Sequence, residues 1–119
     1  MSIKNYKDLD VWKKSMRLTN LIYDHTQNFP KEELFGLASQ MRRAAVSIAS
    51  NIAEGSLRGS KVEFASFVGI ARGSLAELET QIIISYDRKY FDETIHIELT
   101  TLAEDISKML FRLLHSLKA

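Results

Sequence analysis

A chain of 119 residues, 45% hydrophobic and 26% charged, is long enough to bury one core and too short to divide into several, so a single globular domain is expected. A formal charge of +1 excludes the global basic field that announces many nucleic-acid binders, so such binding would have to come from local clustering. The lack of cysteine excludes a disulfide framework, a thiolate metal site and a thiol nucleophile.

The opening, Met1 to Lys14, is polar and carries no apolar signal segment. No stretch approaches the ~20 apolar residues of a membrane span, so a cytoplasmic protein without membrane contact is expected. One proline and five glycines leave little turn punctuation: Pro30 and Gly36 bracket one connection, Gly55 and Gly59 another. An all-α chain follows.

Residues 1–7 read as a loose basic lead-in. A first helix is predicted over about 8–28, with Leu9, Trp12, Met16, Thr19 and Tyr23 on one stripe and Val11, Leu18, Ile22 and Phe29 beside it. Lys13, Lys14 and Arg17 fall opposite, either as an ordinary solvated face or as a phosphate-contacting patch. Phe29-Pro30 ends this helix, because a residue before proline is pushed out of the helical region.

A second helix is predicted over about 34–54. Leu37, Met41, Ala44, Ile48 and Ile52 form its greasy arc; Ala38, Ala45, Ala49 and Ala53 form a close-approach arc; Gln40, Arg43, Ser47, Asn51 and Glu54 form a polar row. Gly55 is expected to stop it in the left-handed conformation.

Ser60 with Glu63 makes a capping box for a third helix over about 61–86. Its main stripe is Phe64, Phe67, Val68, Ala71, Leu75, Leu78, Ile82 and Tyr86, yet the opposite side is also apolar or small, with Val62, Gly69, Ile70, Gly73, Ile83 and Ile84. One small bundle cannot enclose a helix on every side, so the surplus implies an oligomer interface, with Gly69 and Gly73 allowing close backbone approach. The fourth helix, about 94–117, presents Ile95, Leu99, Leu102, Ala103, Ile106, Leu110, Leu113 and Leu117. Four helices with short links predict an up-down-up-down antiparallel bundle spanning residues 1–119 as one domain.

No catalytic constellation is visible. His25, His96 and His115 lie on different helices, and Glu93 with His96 supplies one carboxylate–imidazole spacing where a di-metal bundle needs two, which reads as a capping acid and a surface histidine. Gly73-Ser74 is mid-helix and no phosphate-cradling glycine loop occurs. Neither metal nor cofactor is expected, nor enzyme activity. The polar row of the second helix faces Arg72, Ser74, Glu77, Glu79 and Gln81 of the third, which suits a buried or interfacial network that fixes register. The same groups could instead form a polar recognition surface, with Arg42, Arg58, Lys61 and Arg72 as its cations. Without interleaved aromatics, phosphate contact is the expected mode and base stacking is not.

Several stretches carry a resemblance: Asp8-Leu9-Asp10-Val11-Trp12, Phe29-Pro30 with Glu33, Gly36-Leu37, Gln40 with Arg43-Ala44-Ala45, Asn51-Ile52-Ala53-Glu54-Gly55, and Gly73-Ser74-Leu75-Ala76-Glu77-Leu78-Glu79-Thr80-Gln81. From Tyr6 to Leu117 the chain resembles the bacterial four-helix bundle proteins encoded in intervening sequences of 23S ribosomal RNA genes. It departs from that family at Ala49, where proline is usual. The resemblance implies a homopentamer of bundles around a central channel. It extends to the accessory protein of diversity-generating retroelements, which works with nucleic acid. A non-catalytic, RNA- or DNA-associated oligomer is therefore expected. The alternative is a protein adaptor that recruits a partner through Phe111, Ile97 or Leu21.

Overall fold

The computed structural model describes residues 5–119, so the part of the lead-in formed by residues 1–4 lies outside it. Asn5 is not loose: its side chain accepts from the Lys7 amide at 2.9 Å and starts a short 3-10 turn, Tyr6–Asp8. Four helices follow, α1 Asp10–Thr26, α2 Leu37–Ser56, α3 Lys61–Asp87 and α4 Glu93–Lys118. A second 3-10 turn, Lys31–Glu33, occupies the first connection and delays the start of α2 to Leu37. Ser60 caps α3 by accepting from the Glu63 amide at 3.1 Å. Asp92, rather than the expected Glu93, caps α4 through the Ile95 amide at 2.8 Å.

Each helix packs on its two neighbours, α1 on α2, α2 on α3, α3 on α4 and α4 back on α1. The cross-contacts fix the directions. Thr19 meets Ala45 and Thr26 meets Arg42; Ser47 meets Ser74 and Met41 meets Ser85; Lys14 meets Asp105 and His25 meets Glu98. Rising numbers on one helix face falling numbers on the next, so every neighbouring pair is antiparallel.

The core is one cluster fed by all four helices, with Leu18, Ile22, Met41, Ile48, Ile52, Leu75, Leu78, Leu99, Ile106 and Leu110 among its fully enclosed side chains. On α1 the core stripe is rotated from the predicted one. Val11, Leu18 and Ile22 are buried with Ser15, Thr19 and Thr26, whereas Met16 and Tyr23 are exposed. Hydroxyls can take those interior positions because each donates to a carbonyl one turn back, Ser15 to Val11 at 2.7 Å, Thr19 to Ser15 at 2.8 Å and Thr26 to Ile22 at 2.7 Å. Thr19 also lies 3.2 Å from the Ala45 carbonyl, an approach that the alanine arc of α2 makes possible. Ala49 is buried and α2 is unbroken across it.

Gly55 does not stop α2. It lies buried inside the helix, and no described glycine has a positive φ. Its role is spatial: a β-carbon there would sit 2.6 Å from Phe67 Cβ and 3.0 Å from the Phe64 ring. The left-handed residue is Lys89, φ 65°, which ends α3. The Lys89 amide donates to the Tyr86 carbonyl at 2.9 Å and the Tyr90 amide to the Ser85 carbonyl at 2.8 Å, the bonding of a Schellman stop with lysine at the glycine position. At this end Phe29 packs on Tyr90 and Phe91, with centroids 5.0 and 5.3 Å away, and the Tyr90 hydroxyl donates to Glu33 at 3.1 Å. Those contacts tie the first connection to the last.

Candidate nucleic-acid interface

The six candidate cations divide by what already holds them. Lys13 and Arg17, four residues apart on the outward face of α1, are exposed and join no ion pair among the described residues. Lys14, one position round, pairs with Asp105 of α4 at 3.6 Å. Lys61 is exposed at the start of α3. Arg42 is committed to the fold: its Nε donates to the Thr26 hydroxyl at 2.9 Å and its guanidinium lies 4.8 Å from the Tyr23 ring. There it covers the C-terminal end of α1, where a cation is favoured. Arg58 donates to Glu54 at 2.6 Å and stacks 4.9 Å from Phe67.

Two further cations were missed. Lys108 and Arg112, four apart and exposed on α4, border the same side as the α1 trio, Arg112 lining a shallow cleft with Leu9 and Asp10. Their spacing on the solvent side of the leucine stripe was a readable signal. That their helix lies beside α1 was not, because it depends on which helices are neighbours.

The polar residues of α2 and α3 form a smaller network than expected. Ser47 and Ser74 share a hydrogen bond at 2.8 Å, and Asn51 donates to the Ser47 carbonyl at 2.8 Å and hydroxyl at 3.0 Å. Gln40, Arg43 and Glu77 instead rim an open groove of about 490 Å³, and the described ion pairs do not include Arg43 with Glu77. Glu54 is taken by Arg58. Arg72 turns to α4, 5.7 Å from the Phe111 ring. Glu79 also faces α4, where desolvation by burial first and then the Glu104 charge push its pKa above the ordinary carboxylate value. Gln81 is buried with Oε1 lacking a hydrogen-bond partner among the described residues.

Gly69 and Gly73 look outward, with nothing within 4 Å of an added β-carbon, among exposed Val62, Ile70, Ile83 and Ile84. Of the adaptor candidates, Phe111 and Ile97 are exposed, but Leu21 is partly buried against the core. Phe35, 95% exposed in the first connection, was overlooked. His96 is half-buried, stacked on Tyr86 at 4.2 Å with Nδ1 enclosed. His25 pairs with Glu98 at 3.2 Å and His115 packs near Phe111. Trp12 is half-buried against Tyr6, 5.4 Å between centroids, so it offers no open stacking platform. The arrangement can hold phosphate groups by charge; it offers little for reading bases. No described helix is long and apolar enough to cross a membrane.

A family model described as 23S rRNA-intervening sequence protein matches residues 7–112. The chain is similar to a crystal structure of a protein with unknown function from the S23 ribosomal protein family of Bacteroides thetaiotaomicron. That likeness has a TM-score of 0.80 at 20% identity, covers 88% of this chain and 95% of the other, and shows the fold. No curated protein matches the chain.

Proposed function

This chain belongs to the 23S rRNA-intervening sequence protein family, and on that footing we propose that it is a non-catalytic, self-associating bundle that contacts structured RNA in the cytoplasm through phosphate groups. The observation that carries it is the outward face of α1, where Lys13 and Arg17 project without ion-pair partners among the described residues while other candidates, such as Arg42 and Arg58, are committed within the fold.

Self-association is supported by α3, which leaves Val62, Ile70, Ile83 and Ile84 exposed and carries two outward glycines that no side chain of another described helix approaches. An apolar surplus exposed along one helix suits contact with a second copy. The resemblance of the sequence to the intervening-sequence family makes a homopentamer, five bundles around a channel, the specific assembly proposed. Cyclic symmetry would repeat each cation around a ring, and multivalency can raise apparent affinity ~10²–10⁴-fold without a new contact.

The test is sedimentation of the purified protein together with fluorescence anisotropy of a structured ribosomal RNA fragment at about 50 and about 200 mM salt. A pentameric mass and binding that weakens at least about tenfold across that salt range are expected. Binding indifferent to salt, or no binding at either concentration, overturns the RNA reading.

A protein adaptor is the second reading, favoured by the exposure of Phe35, Ile97 and Phe111. A partner captured from lysate would then survive nuclease treatment, whereas one bridged by RNA would be lost.

A further inference from the structure

The formal charge of +1 conceals a separation of charge along the bundle. The molecule is 44 Å long, and its four antiparallel helices place residues 5–17, 47–73 and 105–119 in one half and residues 18–46 and 74–104 in the other. The first half holds ten lysines and arginines against five acids, a net of +5; the second holds five against ten, a net of −5. The Debye length at physiological ionic strength is about 8 Å, far shorter than the bundle. A phosphate near one end therefore responds to that end, and the near-neutral total does not govern the encounter.

We propose that the phosphate backbone of structured RNA docks on the α1/α4 side of the positive half, where Lys108 and Arg112 complete the surface begun by Lys13, Lys14 and Arg17, while the acidic half is held away from the strand. The inference rests on the RNA reading above and assigns its surface and orientation.

Within the positive half the charges are unevenly available. On the α2/α3 side Glu54 neutralises Arg58, and on the α3/α4 side Arg72 lies over Phe111. On the α1/α4 side, Lys13 and Arg17 form one row and Lys108 and Arg112 a second, each with members about 6 Å apart at 1.5 Å rise per residue. The rows belong to adjacent helices, whose axes lie roughly 8–10 Å apart. The Lys14–Asp105 pair, at 3.6 Å, bridges them, and Arg112 closes the cleft beside Leu9 and Asp10. Two rows of flexible cations, with the nearest indole half-buried, suit contacts that position a backbone. The acidic half repels the same strand, which gives the complex one orientation.

The experiment compares two double variants with the same loss of charge, Lys108→Gln with Arg112→Gln in the positive half and Arg88→Gln with Lys89→Gln in the negative half. All four residues are exposed. Anisotropy of a fluorescein-labelled RNA hairpin is followed across a salt series, with circular dichroism on each protein. The positive-half variant is expected to lose about tenfold in affinity, and its log–log salt slope to fall by about 2, as two phosphate contacts disappear. The negative-half variant should stay within about twofold of the parent, since charges beyond a Debye length are screened. Lys13→Gln with Arg17→Gln carries the same expectation as the first variant and stands in for it if that protein fails to fold. Equal losses in both halves overturn the inference and leave RNA binding intact. Failure of the unaltered protein to bind the hairpin at about 50 mM salt overturns RNA binding itself, and the docking surface with it.

Discussion

Gly55 and the pair Gly69–Gly73 are glycines within helices of the same bundle, and they stand in opposite surroundings. At Gly55 the space for a side chain is already filled, because Phe67 Cβ and the Phe64 ring occupy it and draw α2 and α3 together. At Gly69 and Gly73 nothing fills it. A glycine inside a helix costs about 1 kcal/mol relative to alanine. Burial offsets that cost at Gly55, while nothing among the described residues does so at the other two. A residue chosen against its own helix propensity is explained by contact at the first site, and at the second it points to a contact outside the chain.

Gly55→Ala is expected to have the largest effect. The obstructing atom is a β-carbon next to backbone, which cannot swing aside, so α3 must shift. A loss of about 2–3 kcal/mol is expected from overpacking, seen as a Tm lowered by about 10 °C. An unchanged Tm would break the contrast at its firm end.

Gly69→Ala with Gly73→Ala should act the other way on the single chain, raising its stability by about 1–2 kcal/mol in denaturant unfolding. If the α3 face meets a second copy at close range, the same variant should dissociate at concentrations where the parent sediments as an oligomer. Assembly that ignores both methyl groups would remove those glycines from the interface.

Lys89→Gly sharpens the comparison from a third direction. Here the backbone is left-handed, φ 65°, and lysine occupies it. Relief of the steric penalty should add about 1 kcal/mol to stability, read as a higher denaturant midpoint. A loss would mean that the lysine side chain contributes more to this turn than its conformation costs.

The smallest effect is expected from Glu79→Gln, on the α4-facing edge of α3. Burial and Glu104 raise the Glu79 pKa in the folded protein, so the folded state binds the proton more tightly than the unfolded chain. The protein should therefore lose stability as pH rises from the ordinary carboxylate value through the raised one, and hold level above it. The glutamine variant should match the parent in acid and exceed it modestly at neutral pH. A parent that gains stability through that window would reverse the assignment.

The helices were legible in the chain because periodicity and punctuation are local. Leu99 through Leu117 on α4 and Met41 through Ile52 on α2 occupy the stripes that their spacing predicts. Apolar counting misled on α1, where Ser15, Thr19 and Thr26 enter the core by bonding to their own helix and displace Met16 and Tyr23 to the surface. The candidate cations were identifiable as residue types, but not their availability, since Arg42 and Arg58 are taken by partners that folding supplies.

By itself the sequence determined four helices, their order, and an excess of apolar surface on the third, because those follow from residue chemistry repeated at a period of 3.6. Only the tertiary structure decided that Gly55 is a packing site, that Arg112 lines one cleft with Leu9 and Asp10, and that a chain of charge +1 is divided into a positive and a negative half. Each of these depends on which residues of different helices share one level of the bundle, and that is set by helix direction and neighbourhood.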